Sequence, residues 1–306
     1  MERDDPIEAP RVRRGDRAPG EPRNVAWLYL LPGLAFYLLF TLGPLLHTAW
    51  LSLFDWDGLT AGRYIGLANY REALGDPLVH DAFRHSAELV VFYALLPIAI
   101  GLLLTAMLTR RPVRGFAGFR AVLFLPQIIA GVVVAQAWVW IYAEQGPQNE
   151  FLRTTGLGSL ARPWLGSFTW ALPAIGVIGT WVTYGLCMVL FVAGVQKIPS
   201  SLYDAARVDG AGPFAEFFAV TLPGLRNEIV VALLLTVVAA LRVFDVIFVT
   251  TKGGPGTETY VPTLLIYKRA FVSGEVGSAA AIATILTALV LLVSVGIRRL
   301  EEAPDA

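Results

Sequence analysis

Two ionisable side chains, Arg242 and Asp245, stand inside one of the most apolar stretches of this sequence. A charge at the centre of a membrane helix costs about 2.5–3.5 kcal/mol on insertion scales, so such groups face protein or water rather than lipid. On one helix their i, i+3 spacing puts them on a common face, where they could pair. Two roles follow. They form an internal ion pair that fixes packing, or they line an aqueous path in which Asp245 accepts hydrogen bonds from a solute's hydroxyl groups. Gln127 and Gln136, with Thr180, Trp181, Thr183 and Tyr184, are further path candidates. Amides and flat aromatic faces are what a polar ring-shaped solute needs, although helix packing also accounts for Trp181. Trp138, Trp140, Tyr142 and Trp170 fall near span ends and read as interfacial anchors.

Other chemistry is excluded by what the chain lacks. A single cysteine, Cys187, permits no intramolecular disulfide, and His47, His80 and His85 have no metal-ligand spacing. No nucleophile stands with a base, so the chain does not read as an enzyme. A phosphate-cradling loop needs Gly before Lys, and the three lysines follow Gln196, Thr251 and Tyr267. Any ATP hydrolysis must therefore come from a separate polypeptide. Zero net charge gives no argument for nucleic acid.

The elements that hold these groups are set by hydropathy. Of 306 residues, 56% are hydrophobic and 16% charged, and the apolar ones gather into blocks of the length that crosses a bilayer. About 20 apolar helical residues span the hydrocarbon, and helix is required because lipid cannot satisfy the backbone. Six stretches qualify: 26–50, 86–109, 120–143, 168–194, 228–250 and 276–297. The expected fold is an all-α polytopic membrane protein of six transmembrane helices over 26–300, with a cytoplasmic tail at 1–25 and a C-terminal tail at 301–306. Prolines 44, 97, 126 and 173 are tolerable kinks. The small residues Gly277 to Ala281 let helices approach closely. With the N-terminus inside, the cytoplasmic connections hold fifteen Lys and Arg against eight outside, which puts both termini in the cytoplasm.

The longest inner connection, 196–228, reads as two short helices at an angle. Ser201 caps the first, with Asp204 completing a capping box. Gly210 suits the position past its end, Pro213 opens the second helix, and Leu222-Pro223 stops it. So ordered a loop suggests a docking surface.

In this loop Asp204-Ala205-Ala206, Asp209-Gly210-Ala211 and Thr221-Leu222-Pro223 resemble the "EAA" loop of binding-protein-dependent ABC importer permeases. Asp204 replaces the family's Glu, keeping the charge with a reach one methylene shorter. The resemblance extends over residues 26–300, and 244–271 resembles the sugar and glycerol-phosphate branch. So do Asn69-Tyr70 with Asp76-Pro77 and Ala82-Phe83, and Phe124-Leu125-Pro126. The resemblance implies an inner-membrane permease subunit forming half of an alternating-access pathway for a carbohydrate, polyol or glycerol-phosphate solute. Tyr203, Asp204, Ala205, Ala206, Asp209, Gly210, Ala211 and Pro223 would couple it to an ATPase. Implied partners are a second permease subunit in a heterodimer, two ATPase subunits and an extracytoplasmic solute-binding protein. ATP and Mg would sit on the ATPases, with no cofactor on this chain. The turn Gly253-Gly254-Pro255 would face the binding protein. The alternative is an ion-coupled secondary transporter, which works through intramembrane carboxylates and often shows repeated halves; this chain has one deep carboxylate and no evident repeat.

Overall fold

The computed structural model describes residues 25–108 and 115–302. The tail at 1–24, Arg110, Arg111 and Arg114 of the link after the second span, and residues 303–306 lie outside the described residues. Among the described residues the chain is almost entirely helical, with one two-stranded hairpin.

The first span joins α1 (Val25–Tyr37), a π-helical segment Leu38–Leu42 and α2 (Gly43–Leu51). Residues 25–47 belong to a unit of their own, and Tyr29, Phe36 and Leu39 in it are exposed. An apolar exterior of this kind suits a hydrocarbon solvent. From Thr48 on, a second unit begins. Its hairpin pairs β1 (Phe54–Asp55) with β2 (Arg63–Tyr64) antiparallel, Phe54 opposite Tyr64, and α3 (Ala68–Gly75) follows.

The second span is longer than its apolar run. It starts at Pro77, not 86, as α4 (Pro77–Val90), bulges through the π segment Val91–Leu95 and continues as α5 (Leu96–Leu108). The Asp76 carboxylate caps α4 by accepting from Leu78 N at 2.8 Å, with Pro in the first turn, where its missing N–H costs nothing. The added turns are amphipathic: Val79, Ala82, His85 and Leu89 are buried, while Asp81, Arg84 and Glu88 pair on the exposed side. Asp76 also pairs with Arg269, which donates to Ser278 as well, so one carboxylate–guanidinium pair joins three segments. Breaking such a largely buried pair leaves a charge uncompensated.

The third span is not one helix. α6 (Phe116–Ile128) and α7 (Gly131–Ile141) meet at a 95° bend. Ile129 is extended and Ala130 leaves helical geometry with ψ 133°, directly after the last turn of α6, which Pro126 weakens by removing an N–H. With this pair counted as one crossing, the described residues hold six candidate spans. α8 (Pro147–Thr154) caps the connection to α9 (Ala171–Val195). The buried Asn149 organises that connection, donating to the carbonyls of Ala143 and Arg162 and accepting from Arg162 N and Trp164 Nε1.

Packing centres on α9. A Cβ on Gly176 would lie 2.3 Å from the Phe92 ring, one on Gly179 2.1 Å from the Tyr93 ring, and one on Gly185 2.2 Å from the Leu123 carbonyl oxygen. Thus α9 touches the second and third spans through glycines, as membrane helices do where backbones cross closely. The hydroxyls of Thr180 and Thr183 donate to the carbonyls of Phe92 and Tyr93 at 2.6 and 3.3 Å. Both carbonyls belong to the π segment, where the wider turn leaves the backbone open to side-chain donors.

The chain continues through α10 (Ser200–Val208), α11 (Pro213–Glu216), a π segment Phe217–Thr221 and α12 (Leu222–Gly224). Then come α13 (Arg226–Leu241), α14 (Asp245–Thr250), α15 (Pro262–Tyr267), a π segment Lys268–Ser273 and α16 (Val276–Glu302). The close approach expected at Gly277 is real, but its partner is not a helix. Its N–H donates to Trp56 O at 3.1 Å, and an added Cβ would collide with the Phe54 carbonyl of the hairpin.

Candidate functional site

Within the membrane the fifth span breaks where its charges lie. α13 ends at Leu241, and Arg242 to Phe244 leave the helix, with φ −107° at Arg242 and −137° at Phe244. The expected i, i+3 pair needs an unbroken helix and so does not form: among the described residues no ion pair joins Arg242 and Asp245, and both are exposed. The Val243 carbonyl at the break is satisfied by Thr263 Oγ1 at 2.5 Å. Asp245 becomes the first residue of α14, where the helix dipole favours negative charge.

This break meets the other one. A Cβ on Gly131, the first residue of α7, would lie 3.6 Å from the Asp245 carboxylate oxygen Oδ2. Two interrupted helices therefore start beside one carboxylate, and an exposed arginine lies just before it in the same break. Discontinuous helices whose ends face a polar path are a recurring way to bind solute at mid-membrane. Beside the break, Phe244 stacks on Phe248 at 5.1 Å and both contact Tyr267. This aromatic group escaped the sequence reading, because its members come from two helices.

The remaining polar candidates separate. Gln136 is exposed on α7, and Gln127 is half-buried with its carbonyl oxygen unpartnered among the described residues. Thr183 is buried in the α9 crossing and donates to backbone, and Tyr184 is half-buried. Trp138 and Tyr142 pack against α9. Trp138 packs edge-on against Trp181 at 5.7 Å, and the buried Tyr142 hydroxyl donates to Ala174 O. Trp140 and Trp170 are exposed, as a belt residue would be.

The loop at 196–228 folds into a bracket. The first helix begins at Ser200 after Pro199, with no side-chain cap, so Ser201 lies inside the helix and cannot cap it. Its end matches expectation. Gly210 has φ +79°, Ala211 N donates to Ala206 O at 2.9 Å and Gly210 N to Arg207 O at 3.0 Å, the bond pair of a glycine-terminated helix. Pro213 opens α11 as expected. Pro223 does not stop the second limb. It occupies the first turn of α12, where no N–H is needed, and the chain turns at Leu225 instead.

Lys197–Glu228, Tyr203–Thr221 and Arg207–Glu216 tie the two limbs, nested like rungs. Lys197 Nζ meets Glu228 at 2.9 Å, the hydroxyls of Tyr203 and Thr221 lie 3.2 Å apart, and Arg207 Nε donates to Glu216 at 3.2 Å. Arg207 also reaches Asp204 at 3.3 Å. Tyr203 thus faces the second limb, whereas Asp204, Ala205, Asp209, Gly210 and Pro223 are exposed and Ala206 and Ala211 half-buried. Leu202, Val208, Phe214 and Phe218 are exposed on the same loop. Arg207 and Glu216 were not singled out from sequence, although the i, i+3 spacing of Arg207 from Asp204 was there to be seen.

On the opposite side, Gly253 is buried at φ +98°, and a Cβ would press on the Tyr260 ring at 2.7 Å. Its role there is to form the turn. Gly254 and Pro255 are half-buried, while Gly256 and Thr257 form the exposed tip. The turn is held by Thr251 and Thr259, whose hydroxyls lie 2.7 Å apart, and by the buried His85, whose Nδ1 donates to Tyr260 O at 2.9 Å.

Comparison with known proteins agrees with this architecture. Residues 97–303 match the family of binding-protein-dependent transport system inner membrane components. The probable ABC transporter permease protein YurN of Bacillus subtilis is 36% identical, over 88% of this chain and 93% of that protein. The trehalose/maltose transport system permease protein MalF of Thermococcus litoralis is 32% identical, over 88% and 90%. The sulfoquinovosyl glycerol transport system permease protein SmoG of Agrobacterium fabrum is 32% identical, over 92% of each. The fold also matches the crystal structure of a bacterial ABC transporter involved in the import of the acidic polysaccharide alginate, with TM-score 0.78 at 22% identity over 92% of this chain and 96% of that one. The chain belongs to the binding-protein-dependent inner membrane component family. It is a transmembrane permease of an ABC importer.

Proposed function

We propose that this permease forms half of an alternating-access pathway for a carbohydrate or a related polyol or glycerol-phosphate solute. Relatives named for trehalose and maltose, for sulfoquinovosyl glycerol and for multiple sugars support that solute class. The pathway half is the junction of the two helix breaks. Asp245, Arg242 and Gln136 face outward from the chain, and Gln127 lies beside the bend. In a bilayer such exposed polar groups belong to a water-filled cavity shared with a second permease subunit.

The observation that carries the mechanism is the bracket at 196–228, a tied hairpin with exposed acids and an exposed apolar rim. It docks on one of two ATPase subunits, which bind the ATP and Mg, and closure of the ATPase pair moves α9 and α13 through it. Both termini are cytoplasmic, in keeping with the excess of Lys and Arg on that side. An extracytoplasmic solute-binding protein delivers solute near the Gly253–Pro255 turn.

Reconstituted uptake tests this reading. Transport is expected only when ATP, the ATPase subunits, the second permease and the binding protein are all present. Uptake driven by a proton or sodium gradient alone would overturn it. In the same assay Asp245→Asn is expected to slow uptake about tenfold, the loss of one charge-assisted hydrogen bond to solute. Unchanged affinity and rate would remove Asp245 from the pathway.

A further inference from the structure

The nested ties of the bracket are not equivalent. Lys197–Glu228 joins the limbs at the membrane ends of α9 and α13, Tyr203–Thr221 joins them halfway, and Arg207–Glu216 joins them next to the turn at 209–212. Of the three ties, this outermost one lies nearest a force applied at the tip. Its geometry is specific. The Glu216 side chain is only 17% exposed, and Arg207 is the one cation that meets it among the described residues. The same guanidinium reaches Asp204 at 3.3 Å, so one planar fork serves both carboxylates, which a lysine ammonium cannot do with the same geometry. These side chains border a cleft of about 230 Å³ that also includes Ser200, Tyr203 and Thr221, which leaves the limbs room to shift if the tie is lost.

We infer that Arg207 is a positioning residue for energy coupling: anchored on Glu216, it sets where α10 presents Asp204 to the ATPase and makes both limbs move as one lever. This rests on the docking role proposed above. The short aspartate gives the inference its force. With one methylene fewer than glutamate, Asp204 can adjust less by side-chain rotation, so its carboxylate goes where the helix places it.

The test uses the complete reconstituted importer and reads ATP hydrolysed per solute imported. A cysteine crosslink from Val208→Cys to the ATPase is read in parallel. Glu216→Gln keeps shape and removes charge. It is expected to raise the ATP cost per solute about fivefold, the scale on which one tie of this exposure acts, with the crosslink still formed and the thermal stability unchanged. Arg207→Lys is expected to behave like Glu216→Gln, and Arg207→Glu combined with Glu216→Arg to recover most of the coupling. A wild-type ratio in Glu216→Gln with the crosslink present would overturn the positioning role alone. No crosslink in the otherwise wild-type complex would overturn the docking reading beneath it.

Discussion

Gly179→Val is expected to abolish recovery of folded protein. The added Cβ would sit 2.1 and 2.2 Å from the Cε2 and Cζ atoms of Tyr93, well inside van der Waals contact. Ordinary overpacking costs about 1–3 kcal/mol because neighbours shift. Here Tyr93 is buried among Leu89, Val134, Ile175 and Ile178, so its ring has nowhere to go, and the helices must separate. Separation also removes the Thr180 and Thr183 hydrogen bonds to the π segment, stranding backbone carbonyls where water is absent. The loss should exceed the whole of a marginal stability. Size-exclusion of the detergent-extracted protein gives the readout. Gly296→Val is the control, since nothing lies within 4 Å of a Cβ there, and it should behave as wild type. Gly179→Ala with Tyr93→Ala should recover part of the folded fraction.

Asp204→Lys should lower ATP-driven uptake about a hundredfold or more, while the chain still inserts and folds. Asp204 is exposed, so the fold does not depend on it. At a desolvated interface, removing one member of a charge pair costs about 2–5 kcal/mol, and reversing the charge adds repulsion. The new lysine would also face Arg207, which now reaches the carboxylate at 3.3 Å. Asp204→Glu, the residue usual in this family, should keep most of the uptake. Binding-protein-stimulated ATP hydrolysis should fall together with uptake in Asp204→Lys, because a loop that does not dock transmits nothing in either direction.

The sequence was most informative where a single physical requirement dominates. Apolar runs located the spans because lipid leaves no other choice of backbone structure. Gly210 and Pro213 located the corner of the bracket because only particular residues suit those backbone positions. It was least informative where the outcome depends on contacts between distant segments. The breaks at Ile129–Ala130 and Arg242–Phe244 have no strong local signal: the first has a proline three residues before it, and the second has none. Apolar residues flank both, and the charges at Arg242 and Asp245 do not by themselves end a helix. The i, i+3 pairing of Arg242 with Asp245 failed because it assumed helix across such a break. Pro223 misled in the opposite way, since a proline is equally at home in a first turn and after a last one. Trp138 and Tyr142 looked like boundary aromatics by position along the chain, yet both pack against α9, which half-buries the first and buries the second. The meeting of Asp245 with Gly131 and the nesting of Lys197–Glu228 around Arg207–Glu216 join residues whose separation along the chain hides them from any local pattern.

What most needs direct proof is that an external motor grips the exposed rim of the bracket. Single cysteines placed at Leu202, Val208 and Phe214, in a Cys187→Ser background, can be crosslinked with a short bifunctional reagent in inside-out vesicles that contain the whole importer. The account predicts adducts between this chain and the ATP-hydrolysing subunit at these positions, and a yield that changes when nucleotide is added. Labelling of the same cysteines only from the extracytoplasmic side, or adducts that never contain the ATPase, would contradict it.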